Sequence, residues 1–123
     1  MLAGDDLIAF VATADPARAR AFYGNTLGLP LESESGFALV YRAAGTMLRV
    51  TVVDAVVPAG YTVLGWAVAD IAARVRELGA RGVAFERYDG LEQDELGVWR
   101  SPSGPRIAWF KDPDGNTLSL TQH

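Results

Sequence analysis

Few residues in this chain can carry acid-base or metal chemistry. There is one histidine, the terminal His123, and no cysteine, so thiol nucleophiles, thiolate metal sites and disulfides drop out together. A terminal histidine without a fixed carboxylate neighbour makes no catalytic dyad and reads as a solvent-exposed end. Three carboxylates, Asp15, Asp70 and Asp112, stand where a helix cap or a turn needs an oxygen acceptor. The segment Asp89 to Leu96 is different, because Glu92, Gln93, Asp94 and Glu95 follow one another there. It reads either as a solvated acidic loop or as a rim that brings Glu92 or Glu95 over a site as a base. Near the end of the chain Thr117, Ser119 and Thr121 alternate with Leu118 and Leu120, so one face of a strand is apolar and the other carries small hydroxyls. That row faces a pocket or water, or simply reflects strand propensity. No glycine-rich phosphate loop occurs; the 13 glycines sit at turns and caps apart from Gly65.

The hydroxyl row must be held by a hairpin. Trp109 and Phe110 run into Asp112-Pro113-Asp114-Gly115, where Pro113 presets φ, Asp112 can accept from amides ahead of it and Gly115 takes a positive φ. Pairing across this turn is expected to oppose Phe110 to Thr117 and Ala108 to Ser119, with Phe110 beside the hydroxyls and Trp109 beneath a helix with Leu118. Upstream, Leu7 to Ala12 reads as a strand, and Asp15-Pro16 as the cap and first residue of a helix that runs through Tyr23 and ends at Gly24 and Gly28. Phe37 to Arg42 and Met47 to Val53 follow as strands around Ala43 to Thr46, and Asp54 to Gly60 connects onward. The order then repeats. Tyr61 to Val68 is a strand with Trp66 on its inner side, Asp70 caps a helix with Ile71, Val75 and Leu78 on one face, and Gly79 closes it. Val83 to Phe85, Gly97 to Arg100 and the final hairpin complete the second half. The expected class is α+β: two βαβββ modules, about 5–57 and 61–122 around a connector near 58–60, in one domain spanning 1–123.

Composition limits the function classes. A chain of 123 residues, half of them hydrophobic and none in low-complexity tracts, fits one globular domain. Its apolar stretches fall far short of a membrane span, and Met1 to Asp6 lacks a signal-peptide pattern, so the expectation is a soluble, cytoplasmic protein with no membrane partner. The net charge is -4 with scattered basic residues, which argues against a nucleic-acid partner.

Several pieces resemble the vicinal oxygen chelate superfamily of glyoxalase I, bleomycin-resistance proteins and extradiol dioxygenases. They are Asp15 with Phe22-Tyr23, Leu27-Gly28-Leu29, the helix end Leu78-Gly79-Ala80-Arg81-Gly82-Val83, and Asp112-Pro113-Asp114-Gly115-Asn116. In order they cover nearly the whole chain, about 7–122. The resemblance implies sheets curled into an open cup, often completed across a homodimer. It also implies where metal-using members hold their ion, with His, Glu or Gln on four cup strands. Those positions correspond here to Ile8, Arg49, Val63 and Ser119, with Thr51 as the alternative to Arg49. Ile8 and Val63 carry no donor, Ser119 is a poor ligand and Arg49 brings a fixed positive charge. No metal and no other cofactor is therefore expected.

Without the metal, the strand parity implied by the resemblance lines the cup with Ile8, Phe10 and Ala12, with Met47, Arg49 and Thr51, with Val63, Gly65 and Ala67, and with Thr117, Ser119 and Thr121, plus Phe110. Such a lining suits a small apolar or aromatic molecule with one anionic or carbonyl group, Arg49 supplying a forked donor and Ser119 an adjustable one. Gly65 either leaves space for that ligand or marks a bulge or close packing. Arg49 alternatively belongs to a salt bridge at a sheet edge or dimer surface. Three functions remain open: a metal-independent small-molecule-binding protein, a cofactor-independent lyase or isomerase acting on a carbonyl compound, and a structural or regulatory dimer with a vestigial cup.

Overall fold

Asp15 and Asp70 start the two main helices in the same way. The Asp15 Oδ1 accepts from the Arg18 amide at 3.2 Å and the Asp70 Oδ1 from the Ala73 amide at 3.1 Å, each satisfying a first-turn donor that has no partner within its helix. The computed structural model describes residues 1–123, which divide into two units, Met1–Val57 and Pro58–His123. Each unit repeats the order strand, helix, three strands, so the chain is α+β with two βαβββ modules. No helix is long and apolar enough to cross a membrane.

In module one a short 3₁₀ turn, Leu2–Gly4, precedes β1 (Ile8–Thr13), α1 (Pro16–Arg20), β2 (Leu31–Glu34), β3 (Ala38–Ala43) and β4 (Thr46–Val52). The sheet order is β1-β4-β3-β2, with β1 parallel to β4 and the rest antiparallel. The helix does not stop at Gly24. It continues from α1 as a π-helical stretch, Ala21–Thr26, that contains Gly24, and Gly28 then takes φ 74°. Strand β2 has no counterpart in the sequence reading, because all four of its residues are exposed. A two-residue loop joins β3 to β4, with Ala44 at φ 45° and Gly45 at φ 86°, the handedness that matches strand twist. Val11, Leu39, Tyr41, Leu48 and Val50 form the buried sheet face against Ala19 and Tyr23.

Module two contains β5 (Thr62–Ala67), α2 (Ile71–Ala80), β6 (Trp99–Arg100), β7 (Arg106–Lys111) and β8 (Thr117–Gln122), in the order β5-β8-β7-β6. As expected, Ile71, Val75 and Leu78 are the buried face of α2. The helix stop is Gly82 rather than Gly79. Gly82 has φ 95°, its amide bonds the Gly79 carbonyl at 3.1 Å, and the Val83 amide bonds that of Leu78 at 3.0 Å, a Schellman closure.

The last hairpin is shifted by one residue from the sequence expectation. Phe110 pairs with Leu118, Trp109 with Ser119 and Ala108 with Leu120. The loop itself explains the difference. The Asp112 amide bonds the Asn116 carbonyl at 3.1 Å, which leaves three residues in the loop, and the Gly115 amide closes a tighter turn on the Asp112 carbonyl at 3.0 Å. With Gly115 at φ 87°, this is a type I turn followed by a glycine bulge. The extra residue turns Phe110 to the α2 side, where it is fully buried with Leu118 and 6.5 Å from Trp66 between ring centroids, and turns Trp109 to the opposite face.

Candidate functional site

The sheet face opposite the helix carries the candidate site residues in each module. In module one, β1 and β4 run in register, so Ile8 lies beside Met47, Phe10 beside Arg49 and Ala12 beside Thr51. Strand β3 extends the same row, with Arg42 next to Met47, Val40 next to Arg49 and Ala38 next to Thr51. The structure thus brings together Ile8, Phe10, Met47, Arg49 and Thr51, and adds three β3 residues that the sequence reading left out. Alternation along β3 was the available signal, once its two-residue loop to β4 fixed the pairing. The row is open to solvent where it is most apolar: Phe10 is 59% exposed and Ile8 45%.

Two arginines share this face but differ in their electrostatics. The Arg42 guanidinium is gripped by Glu32, Nε to Oε1 at 2.8 Å and Nη2 to Oε2 at 3.1 Å. That hydrogen-bonded fork holds the Glu32 carboxyl below its ordinary range and pushes the Arg42 guanidinium further up. The Arg49 side chain, half-buried beside Phe10, forms no ion pair and no hydrogen bond within the chain. Within the chain the ion pair on this face belongs to Arg42, and the five Arg49 donors have no partner in the same chain.

In module two the corresponding face holds Gly65 and Ala67 on β5, Thr117, Ser119 and Thr121 on β8, Ile107 and Trp109 on β7, and Trp99 on β6. Val63 falls at an irregularity between Thr62 and Leu64 and is 39% exposed. Gly65 lies directly beside Ser119, and a Cβ there would stand 2.7 Å from the Ser119 Oγ, so of its two readings close packing is realised. Lys111 Nζ donates to Thr117 Oγ1 at 2.8 Å. Phe110 leaves the set, because the register turns it into the core, and Trp109 takes its place. Trp109 packs edge-on against Tyr88, with centroids 5.4 Å apart, and against Trp99 at 5.9 Å. These three rings form an aromatic wall beside the hydroxyl row. The sequence showed the aromatics, but assigning them to this face required the hairpin register.

The acidic loop is held by its own side chains. Gln93 Nε2 donates to the carbonyls of Glu86 and Gly97, at 2.9 and 2.8 Å, while its Oε1 accepts from the Tyr88 amide at 2.8 Å. Asp94 Oδ1 accepts from the amides of Leu96 and Val98, both at 2.9 Å. Glu92 lines a cavity of about 360 Å³ with Ile71, Ala72, Val98, Arg100 and Arg106, on the side of α2. A base role for Glu92 over the hydroxyl row does not match that placement. Glu95 is exposed.

The four positions that the resemblance implies for metal ligands carry Ile8, Arg49 (or Thr51), Val63 and Ser119, and these side chains do not fit a metal: two hydrocarbons, a cation or hydroxyl, and a further hydroxyl supply no charge-compensating donor. Nor do three His, Cys, Asp or Glu side chains gather elsewhere into a possible metal site.

Comparison with known proteins agrees with the geometry. No curated protein sequence matches the chain. Among solved structures, a glyoxalase/bleomycin resistance protein/dioxygenase superfamily member from Sphaerobacter thermophilus is 25% identical, with a TM-score of 0.76 and 100% of both chains covered. TnmS3, an antibiotic binding protein from Streptomyces sp. CB03234, is 27% identical, with a TM-score of 0.71 over 99% of this chain and 98% of its own. A lactoylglutathione lyase from Agrobacterium tumefaciens shares the fold at 18% identity and a TM-score of 0.74, over 97% of this chain and 93% of its own. The sequence profile of the glyoxalase/bleomycin resistance protein/dioxygenase superfamily matches residues 6–120, nearly the full length, and the chain belongs to that superfamily.

Proposed function

We propose that the protein is a metal-independent binder of small aromatic or largely apolar molecules that carry one anionic or carbonyl group, working as a homodimer in the cytoplasm. One observation carries this reading: Arg49 stands without a counter-charge beside the exposed ring of Phe10. A guanidinium with free donors next to an open aromatic surface is a seat for a flat molecule with a carboxylate or carbonyl edge. Within module one, Ile8, Met47 and Thr51 are the further groups we assign to ligand contact; within module two, we assign to the same role the aromatic wall of Trp109, Trp99 and Tyr88, the hydroxyls of Thr117, Ser119 and Thr121, and Val63. The antibiotic-binding relative supports the class of function, and the donor-poor set at Ile8, Arg49, Val63 and Ser119 supports binding without a metal.

The test uses naphthoate and its neutral analogue naphthamide as probes in titration calorimetry. Arg49→Ala is expected to weaken naphthoate roughly tenfold to hundredfold, the loss of charge-assisted hydrogen bonds, and to change naphthamide much less. Equal naphthoate affinity for both proteins would refute the assignment of Arg49.

A further inference from the structure

On the helix side of the module-one sheet lies a second cavity, of about 400 Å³, which is separate from the Arg49 row because Tyr41 and Arg49 point to opposite faces. Ala17, Ala21, Leu29 and Leu31 supply its apolar lining, and Arg20, Asn25 and Tyr41 its polar groups. Tyr41 is completely buried, and its Oη has no hydrogen-bond partner. Burial pushes the phenol pKa up, with the nearby Arg20 charge opposing, so the group keeps its proton and remains a donor. A buried hydroxyl without an acceptor is destabilising, and native structures seldom leave one unexplained.

The backbone beside the phenol is also unusual. Gly24 lies inside the π-helical stretch and lines the cavity, and a Cβ at that position would be 3.8 Å from the Tyr41 Oη, so this glycine packs in contact range of the phenol at the cavity wall. Such π segments are frequent at functional sites. Arg20 forms an ion pair with Glu34, which leaves the lining there polar and close to neutral. A neutral ligand suits that balance better than an anion.

We propose that this cavity binds a small, mainly apolar molecule through one carbonyl-type oxygen that accepts a hydrogen bond from Tyr41. The isotopically labelled full chain is titrated with acetophenone and with ethylbenzene, which lacks the acceptor, and followed by amide chemical shifts. Acetophenone is expected to move the amides of Gly24, Leu29 and Tyr41, and to bind roughly three- to tenfold more tightly than ethylbenzene; Tyr41→Phe is expected to abolish that preference. Equal binding of the two probes, no binding of either, shifts confined to other residues, or a preference retained in Tyr41→Phe would overturn the proposal. Should Tyr41→Phe fail to fold, Ala21→Trp fills the cavity from an exposed helix position. It is expected to remove the acetophenone shifts, and retained shifts would overturn the proposal equally.

Discussion

Gly65→Ala places a methyl group where the neighbouring strand leaves no room. Its Cβ would lie 2.7 Å from the Ser119 Oγ and 3.3 Å from the Ser119 carbonyl oxygen. The Oγ can swing away about χ1, but the carbonyl belongs to the paired backbone of β8 and stays in place. Overpacking of this kind costs about 1–3 kcal/mol, while the smaller entropy of an unfolded chain with alanine returns about 0.4–1 kcal/mol. The net expectation is a loss of about 1–2 kcal/mol, or roughly 3–8 °C in melting temperature for a chain of this size. The same change in a Ser119→Ala background meets no Oγ, so its cost should fall by about 1 kcal/mol, which a double-mutant cycle reads directly. Urea unfolding followed by tryptophan fluorescence supplies the four stabilities, with an unchanged m-value as the check that the unfolded state is the same. A neutral or stabilising Gly65→Ala would refute the packing account of this glycine, and an equal penalty in both backgrounds would assign the clash to the Ser119 carbonyl alone.

Two further outcomes follow from the geometry. Asp112 is buried and accepts from the Asp114 amide at 3.0 Å, the Asn116 amide at 2.9 Å and the Asn116 Nδ2 at 2.8 Å, so Asp112→Ala strands three donors and should cost about 2–4 kcal/mol in thermal unfolding. For Tyr41, burial raises the folded-state phenol above its ordinary 10.0. Its contribution is complete below pH 10, where both states hold the proton. It is lost as pH rises towards the folded value, because the unfolded chain then binds fewer protons. Denaturation midpoints should therefore decline more steeply above pH 10 in the wild type than in Tyr41→Phe, and identical slopes would contradict the burial effect.

Much of this fold was legible because its punctuation is chemical. Asp15, Asp70 and the spacing of Ile71, Val75 and Leu78 each identify a helix by a mechanism that survives in the structure. Glycine was the poorer guide. Gly24 and Gly79 are tolerated inside helices, whereas Gly82 alone of the α2 glycines has the left-handed backbone that ends one. Strand β2 escaped because pairing with β3 holds it while all its side chains remain exposed, so no alternation marks it. The site divides along the same line. The Ile8, Phe10, Met47, Arg49 and Thr51 row came from the strand parity that the resemblance implies, and β1 and β4 pair in the register that puts these residues on one face. The Phe110 assignment failed because a hydrogen bond between Asp112 and Asn116, invisible in composition, decides how many residues the loop holds.

That loop acts as a phase setter for a whole strand. Opposite faces of β7 carry different chemistries, Ala108 and Phe110 for the interior and Ile107 and Trp109 for the outer row, and only parity tells them apart. Removing or adding one residue between Asp112 and Asn116 would exchange the two sets at once, exposing Phe110 and burying Trp109 against α2. The loop can therefore drift in sequence wherever its hydrogen bonds and the Gly115 backbone are kept, but its length is locked. Variation in the chemistry of the outer row through this hairpin must come from substitutions at the outward positions, and insertions are closed to it.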